Sequence, residues 1–473
     1  MHHESNLKMN NDISNALALI ASIFQEERSQ LSETPILSLA TPSQVISLRQ
    51  YALPEGPQSI ESVIHEATSI FTHRVQMNHP RFFGFIPAPT HPLSWIGEIL
   101  TSLFNTHAGS WFQSSGPSAI EASLISFLAA KTGLPTDSAG GVFVSGGSMA
   151  NLTALMMARD QMLESQEERM RGVVYVSDQT HLSVARGLRV LGFMDSQIRK
   201  VPTDSMHRLD VDFLREMVRA DRAAALLPFI VVASCGTTNT GSVDPLSAIA
   251  NFAQQEKMWM HVDGAYGASI VLSNSYGHLA DGLGRADSIS WDAHKWLFQT
   301  YACGIVLARN KKHLSDSFAT DAEYVRDAVT ADETPNFWNF GVELTRPARA
   351  MKLWFTMRVL GSKALGRLID HGFSLAERAE VELQQMRDWE ILSPATLAIV
   401  VFRYAPFGMN ERELDELNIT ISRRLLKENI AGVLTTKLQG KTVLRICAVS
   451  PELSLEDMTE VIAKIDETAR SLL

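Results

Sequence analysis

Residues 141–163 read GVFVSGGSMANLTALMMARDQML. The first four, Gly141 to Val144, have the apolar, β-branched character of a short buried strand. Ser145 to Ser148 then form a glycine loop, and apolar residues at helical spacing follow. A strand passing through a short loop into a helix is the unit of a parallel sheet covered on both faces. The same rhythm recurs downstream. VVYV (Val173–Val176) leads through SDQTH into LSVARGLRVLG, and FIVVAS (Phe229–Ser234) leads through CGTTNTGSVD into PLSAIANFAQQ. MWMHVD (Met258–Asp263), SISW (Ser288–Trp291) and GIVLAR (Gly304–Arg309) supply further strands. The expected fold class is α/β with a mostly parallel sheet. In such sheets ligands bind where loops leave the carboxyl ends of the strands.

Around this centre the chain divides into three. Residues 1–80 read as a helical segment interrupted by the proline loops TPSQ and LPEGPQ. Ile13, Leu17, Ile20 and Phe24 recur there at helical spacing behind Asn11 and Asp12, which can cap a helix. Residues 81–355 hold the sheet. Residues 356–473 continue a long helical pattern and end in a smaller α+β domain. The proline- and phenylalanine-rich stretch NHPRFFGFIPAPTHP (Asn78–Pro92) cannot be a long helix. It either packs as core or lines a pocket.

Composition narrows the function. Hydrophobic residues make up 45% and charged residues 20% of 473, enough for a large core. A net charge of −10, from 52 acids and 42 bases, argues against a nucleic-acid surface. Cys235, Cys303 and Cys447 stand far apart in no ligand spacing, so neither a metal centre nor a disulfide framework is expected. That usage fits a reducing cytoplasm. The apolar run AAALLPFIVVA (Ala223–Ala233) is too short for a bilayer and contains a proline, so no membrane partner is expected.

Four loops at strand ends can carry chemistry. In SGGS, Gly146, Gly147 and Ser148 precede a helix, which makes an anion cradle or a plain strand-to-helix turn. The loop is neither a Walker motif nor G-x-G-x-x-G. In MHVDGAYGAS, Asp263 ends a buried strand and needs a partner, whether a metal, an arginine, a protonated ligand nitrogen or a helix terminus. His181 stands at a helix entry in SDQTHLSVARG, and SCGTTNTGS offers small hydroxyls. In SISWDAHKWLF (Ser288–Phe298), Lys295 sits in mostly apolar company, where an amine loses its proton more easily and attacks aldehydes. An anion cradle, a carboxylate, an imidazole and an amine together match the needs of pyridoxal phosphate.

The ordered set HPRFFGF, SGGSMANL, SDQTHLSVARG, GTTNTGSVDPL, HVDGAYGAS and DAHKWL resembles the group II pyridoxal-phosphate decarboxylases. These include aromatic-amino-acid, histidine and glutamate decarboxylases, and the likeness covers roughly residues 78–450. It implies fold type I, amino-acid decarboxylation to an amine, and a homodimer with shared active sites. It implies that Lys295 bonds to the cofactor aldehyde, Asp263 pairs with the ring nitrogen, Ala265 packs on one ring face and His181 on the other. Gly147 and Ser148 would hold the phosphate, with Thr237 and His294 beside the cofactor. Asp292 stands where many relatives have asparagine, and a carboxylate there repels a phosphate unless bridged or protonated. Tyr324, in SFATDAEYVRDA, matches a loop tyrosine that returns the proton, and relatives that make aldehydes tend to lack it. Phe85, Pro87, Ala88, Phe104 and Thr345 would contact substrate, with Phe82, Ile86 and Trp111 adding apolar surface. That set favours an aromatic or bulky apolar amino acid. Ala88, where a threonine is common, and Thr345 leave an acidic or diamino acid as an alternative substrate, and the same scaffold leaves an aldehyde-forming reaction as an alternative.

Overall fold

The structure, a computed structural model, describes residues 2–50, 54–319 and 334–473. Seven strands form the large sheet: β1 (Gly140–Val144), β2 (Gly172–Ser177), β3 (Ile198–Val201), β4 (Leu227–Ser234), β5 (Trp259–Asp263), β6 (Ser288–Asp292) and β7 (Gly304–Ala308). Their order is β1-β7-β6-β5-β4-β2-β3, and only β7 runs against its neighbours. Residues of β1, β2, β5, β6 and β7 are buried throughout, as expected of strands with helices on both faces.

A second, antiparallel sheet closes the C-terminal part. Its strands β8 (Trp389–Thr396), β9 (Ile399–Tyr404), β10 (Leu434–Leu438) and β11 (Lys441–Cys447) take the order β10-β11-β9-β8. The boundary expected at residue 355 lies inside the helix Ala350–Leu360, which precedes the long helix Ser362–Gln385. The first 80 residues contain the helices His2–Ser29, Pro42–Arg49 and Ile60–Phe71. Among the described residues, no helix is long and apolar enough to cross a membrane.

The Asn78–Pro92 stretch bridges the two sheets' territories. Phe82 and Phe83 are core residues; Phe83 N–H donates to Gly432 O at 3.0 Å, and the Phe83 carbonyl accepts from Cys447 N–H at 3.2 Å. Phe85, by contrast, is exposed, and its carbonyl accepts from the Arg445 guanidinium.

One buried ion pair locks the base of the glycine loop. Arg346 donates to both Glu121 oxygens at 2.7 and 2.9 Å, and to the carbonyls of Ala108 and Phe143 at 2.8 and 2.7 Å. Glu121 in turn accepts from Phe143 N–H at 2.9 Å. Both side chains are 1% exposed, so either charge alone would be stranded in a low-dielectric interior. Arg346→Ala is therefore expected to cost about 3–5 kcal/mol of stability, read as a lowered denaturant midpoint. Glu121→Gln, which keeps a polar partner and leaves Arg346 several acceptors, should cost less.

Candidate active site

The loops at the carboxyl ends of β1, β2, β4, β5 and β6 converge on one cavity of about 480 Å³. Gly147, Ser148, His181, Thr237, Asp263, Ala265, Asp292, His294 and Lys295 all line it. Ser145, Asn151, Ser183, Tyr266 and Tyr301 also line it and were not anticipated from sequence.

Lys295 is presented by a tight turn after β6. Its N–H donates to Asp292 O at 3.1 Å, and Ala293 N–H donates back to Cys303 O at 2.8 Å. The next residue, Trp296, is buried and stacks on Tyr266 and Phe373 at 4.8 and 5.5 Å between ring centroids. That anchor leaves Lys295 pointing the other way. Its ammonium lies 3.1 Å from Asp292 Oδ2, and His294 Nε2 lies 3.6 Å from the same oxygen.

The glycine loop needs its glycines for close approach. A side chain on Gly304 of β7 would meet Gly146 Cα at 2.5 Å, and one on Gly147 would meet Asp292 Oδ2 at 2.7 Å. The helix Gly147–Met162 begins with no side-chain cap. Its first amides and the positive end of its dipole are thus available to an anion. Asp292 Oδ1 and His294 Nδ1 are buried beside the cavity without a hydrogen-bond partner among the described residues.

Asp263 ends β5 and is held on all sides. Oδ1 accepts from Ala265 N–H and Ser290 Oγ, both at 3.1 Å, and Oδ2 accepts from Asn151 Nδ2 at 3.0 Å. Burial pushes its pKa up, but the Lys295 charge, His261 and these donors outweigh burial and hold it below the usual carboxylate range. His181 caps the helix Leu182–Val190, its Nδ1 accepting from Ser183 N–H at 3.3 Å. The ring keeps solvent contact at the cavity mouth. The protein atoms around it still lower its pKa; Asp263 opposes that, and the Lys295 charge reinforces it.

The residues expected to contact substrate lie elsewhere in the single chain. Pro87 and Ala88 are buried, whereas Phe85, Phe104 and Thr345 are exposed, and none lines the cavity. Tyr324 lies outside the described residues. Of the polar residues around Asp263, Ser290 had a legible trace, whereas Asn151 and Ser183 lie on helices and had none. Ser288 and Ser290 alternate in an otherwise apolar strand, as do His261 and Asp263 in the neighbouring one. Period-two polar residues on two adjacent buried strands mark one polar face.

An amine nucleophile, a buried ionised carboxylate and an uncapped helix terminus in one cavity define a pyridoxal-phosphate enzyme, and this donor set fits that cofactor. The chain belongs to the pyridoxal-dependent decarboxylase family, whose conserved domain matches residues 42–405. It is therefore a pyridoxal-phosphate-dependent carboxy-lyase of fold type I that acts on an amino acid. It is 39% identical over 424 residues to an aromatic-L-amino-acid decarboxylase of Bacillus atrophaeus, covering 89% of this chain and 88% of that one. It is 31% identical to an L-2,4-diaminobutyrate decarboxylase of Rhizobium meliloti, covering 89% and 84%. The crystal structure of Oryza sativa TDC with PLP and tryptamine superposes with a TM-score of 0.93 at 28% identity, covering 98% of each chain.

Asp292 would be the odd member of a phosphate site at this loop, because a carboxylate only accepts hydrogen bonds and a phosphate needs donors. Replacing it by the isosteric amide removes one negative charge beside the cradle. Asp292→Asn is expected to bind pyridoxal phosphate about tenfold more tightly, on the order of 1.4 kcal/mol. Cofactor titration of the apoenzyme by absorbance measures this directly. Weaker binding by the variant would show instead that the carboxylate favours the bound state.

Proposed function

We propose that this enzyme decarboxylates an aromatic or bulky apolar L-amino acid to its amine. The observation that carries the reaction is Lys295 in one cavity with an Asp263 carboxylate kept ionised by the Lys295 charge and its three donors. The aromatic preference is supported by the Bacillus atrophaeus relative and by the apolar Phe82–Pro87 segment.

When bound, pyridoxal phosphate supplies an aldehyde that condenses with amines and a ring that takes up the electron pair left by departing carbon dioxide. Lys295 provides the amine that holds the resting cofactor and later releases the product. Asp263 keeps a negative charge at the ring nitrogen, so that nitrogen stays protonated. Gly147 and Ser148, with His294 and Thr237 nearby, would hold the phosphate, and Ala265, small and lining the same cavity, would leave room for the cofactor. His181, lining the same cavity, would pack against the cofactor and meet the substrate. Tyr324, assigned from its motif, returns the proton to the α-carbon. Its presence favours the amine over an aldehyde product.

A homodimer belongs to this reading. Phe85 is 62% and Phe104 72% exposed, and Leu103 and Phe112 add to the exposed apolar surface. A second copy of the chain covering that surface explains why residues matched to the substrate pocket do not reach this chain's own cavity. The reducing-compartment reading of the three buried free thiols, and so a cytoplasmic location, accompanies it.

The test is amine formation across the common amino acids, DOPA and 2,4-diaminobutyrate. Amine and carbon dioxide from an aromatic substrate are expected. Preference for 2,4-diaminobutyrate would overturn the substrate assignment, and aldehyde with peroxide would overturn the decarboxylase assignment. Lys295→Ala should lower turnover by at least about a thousandfold.

A further inference from the structure

A continuous chain of buried polar groups runs under the site. Trp259 Nε1 meets Ser288 Oγ at 2.9 Å, and Ser288 Oγ meets His261 Nδ1 at 2.9 Å. His261 Nε2 meets Asn151 Oδ1 at 3.0 Å. Asn151 Nδ2 reaches both Asp263 Oδ2 at 3.0 Å and Ser183 Oγ at 2.9 Å. Ser183 Oγ lies 2.8 Å from His181 Nδ1. Asn151, Ser288 and His261 are at most 1% exposed, and Ser183 is 3% exposed.

The directions of the bonds around Asn151 and Ser183 follow by elimination. The Asp263 carboxylate can only accept, so Asn151 turns its amide N–H groups toward Asp263 and Ser183. Its carbonyl then faces His261 Nε2, which must carry a proton. His261 is neutral, since burial pushes its pKa down to about 4. Its Nδ1 then takes the Ser288 hydroxyl, at 2.9 Å, as donor in preference to the Ser288 carbonyl, an acceptor 3.2 Å away, and that hydroxyl accepts from the Trp259 indole. At the other end, Ser183 Oγ accepts from Asn151 and has its own proton to give. The acceptor in reach is His181 Nδ1, which also accepts from Ser183 N–H. His181 Nε2 has no protein partner among the described residues, and the residue lines the cavity.

We infer that Asn151 and Ser183 are positioning residues that fix the tautomer of His181, so that neutral His181 presents an Nε2–H donor to the substrate. One amide thereby serves two ends of the site, holding the Asp263 carboxylate with one hydrogen and setting the His181 proton with the other. The opposite tautomer would turn a lone pair toward the cavity, where it would repel a substrate carboxylate. The inference deepens the decarboxylase reading and rests on it only for its kinetic consequence.

The test is a long-range proton–nitrogen correlation spectrum of 15N-histidine-labelled holoenzyme, with the His181 signals identified by their loss in His181→Gln. The expected result is an Nε2–H, Nδ1-acceptor pattern in the unaltered protein. In Ser183→Ala only the longer backbone N–H bond to Nδ1, at 3.3 Å, remains, so the pattern should shift measurably toward tautomer averaging, with kcat falling about 10- to 100-fold, cofactor affinity kept, and Ser183→Thr restoring both. Asn151→Ala should loosen the His181 tautomer as well, even with Ser183 intact. A proton on Nδ1 in the unaltered protein, or an unchanged His181 pattern in folded Ser183→Ala, would overturn the assignment. Because the spectrum needs no substrate, failure of the decarboxylase reading would appear separately, as absence of amine from the unaltered enzyme.

Discussion

The site is built around a carboxylate buried at the end of a strand. Asp263 sits where β5 leaves the sheet, and an ionised acid there is unfavourable unless its charge and lone pairs are matched. The matching draws in neighbours on every side. Ser290 comes from the adjacent β6 at the same register, Ala265 from the following turn, and Asn151 from the helix packed above. Lys295 supplies the opposite charge from the far side of the cavity. Strand order, helix placement and the Lys295 turn all have to be right before Asp263 is tolerable.

The same logic extends outward through the polar face of β5 and β6. Trp259, His261 and Asp263 share one face of β5, and Ser288 and Ser290 share it on β6. Their hydrogen bonds leave no member of the stripe unsatisfied, and a fully satisfied buried network rigidifies what it touches. Below the glycine loop the Glu121–Arg346 pair does the comparable task for β1, binding the chain after residue 334 to the strand that leads into the cradle. The cradle and the acid thus stand on separately braced supports.

Asp292 departs from this economy. One carboxylate oxygen pairs with Lys295 at 3.1 Å, with His294 Nε2 3.6 Å away, and the other is unpartnered among the described residues. It lies against Gly147, where an anion is bound best by donors. A carboxylate paired with Lys295 and placed beside the glycine loop would make the binding of an anion there sensitive to charge at this one position.

Much of this was legible in the sequence. Apolar strands alternating with helices fixed the α/β class, and the loops at strand ends held Lys295, Asp263, His181 and Ser148, because residues adjacent in a loop stay adjacent in the fold. Asn151 and Asp263 are 112 residues apart, so their contact exists only once the helix Gly147–Met162 lies across β5. The split of the Asn78–Pro92 stretch, with Phe82 and Phe83 in the core and Phe85 outside, likewise depended on its docking against Gly432 and β11. Local pattern determines which residue types stand at strand ends, since that depends on hydrophobic period and turn chemistry alone. Tertiary packing decides which of their hydrogen atoms point where, since a donor's direction is set by acceptors that the chain brings in from far away.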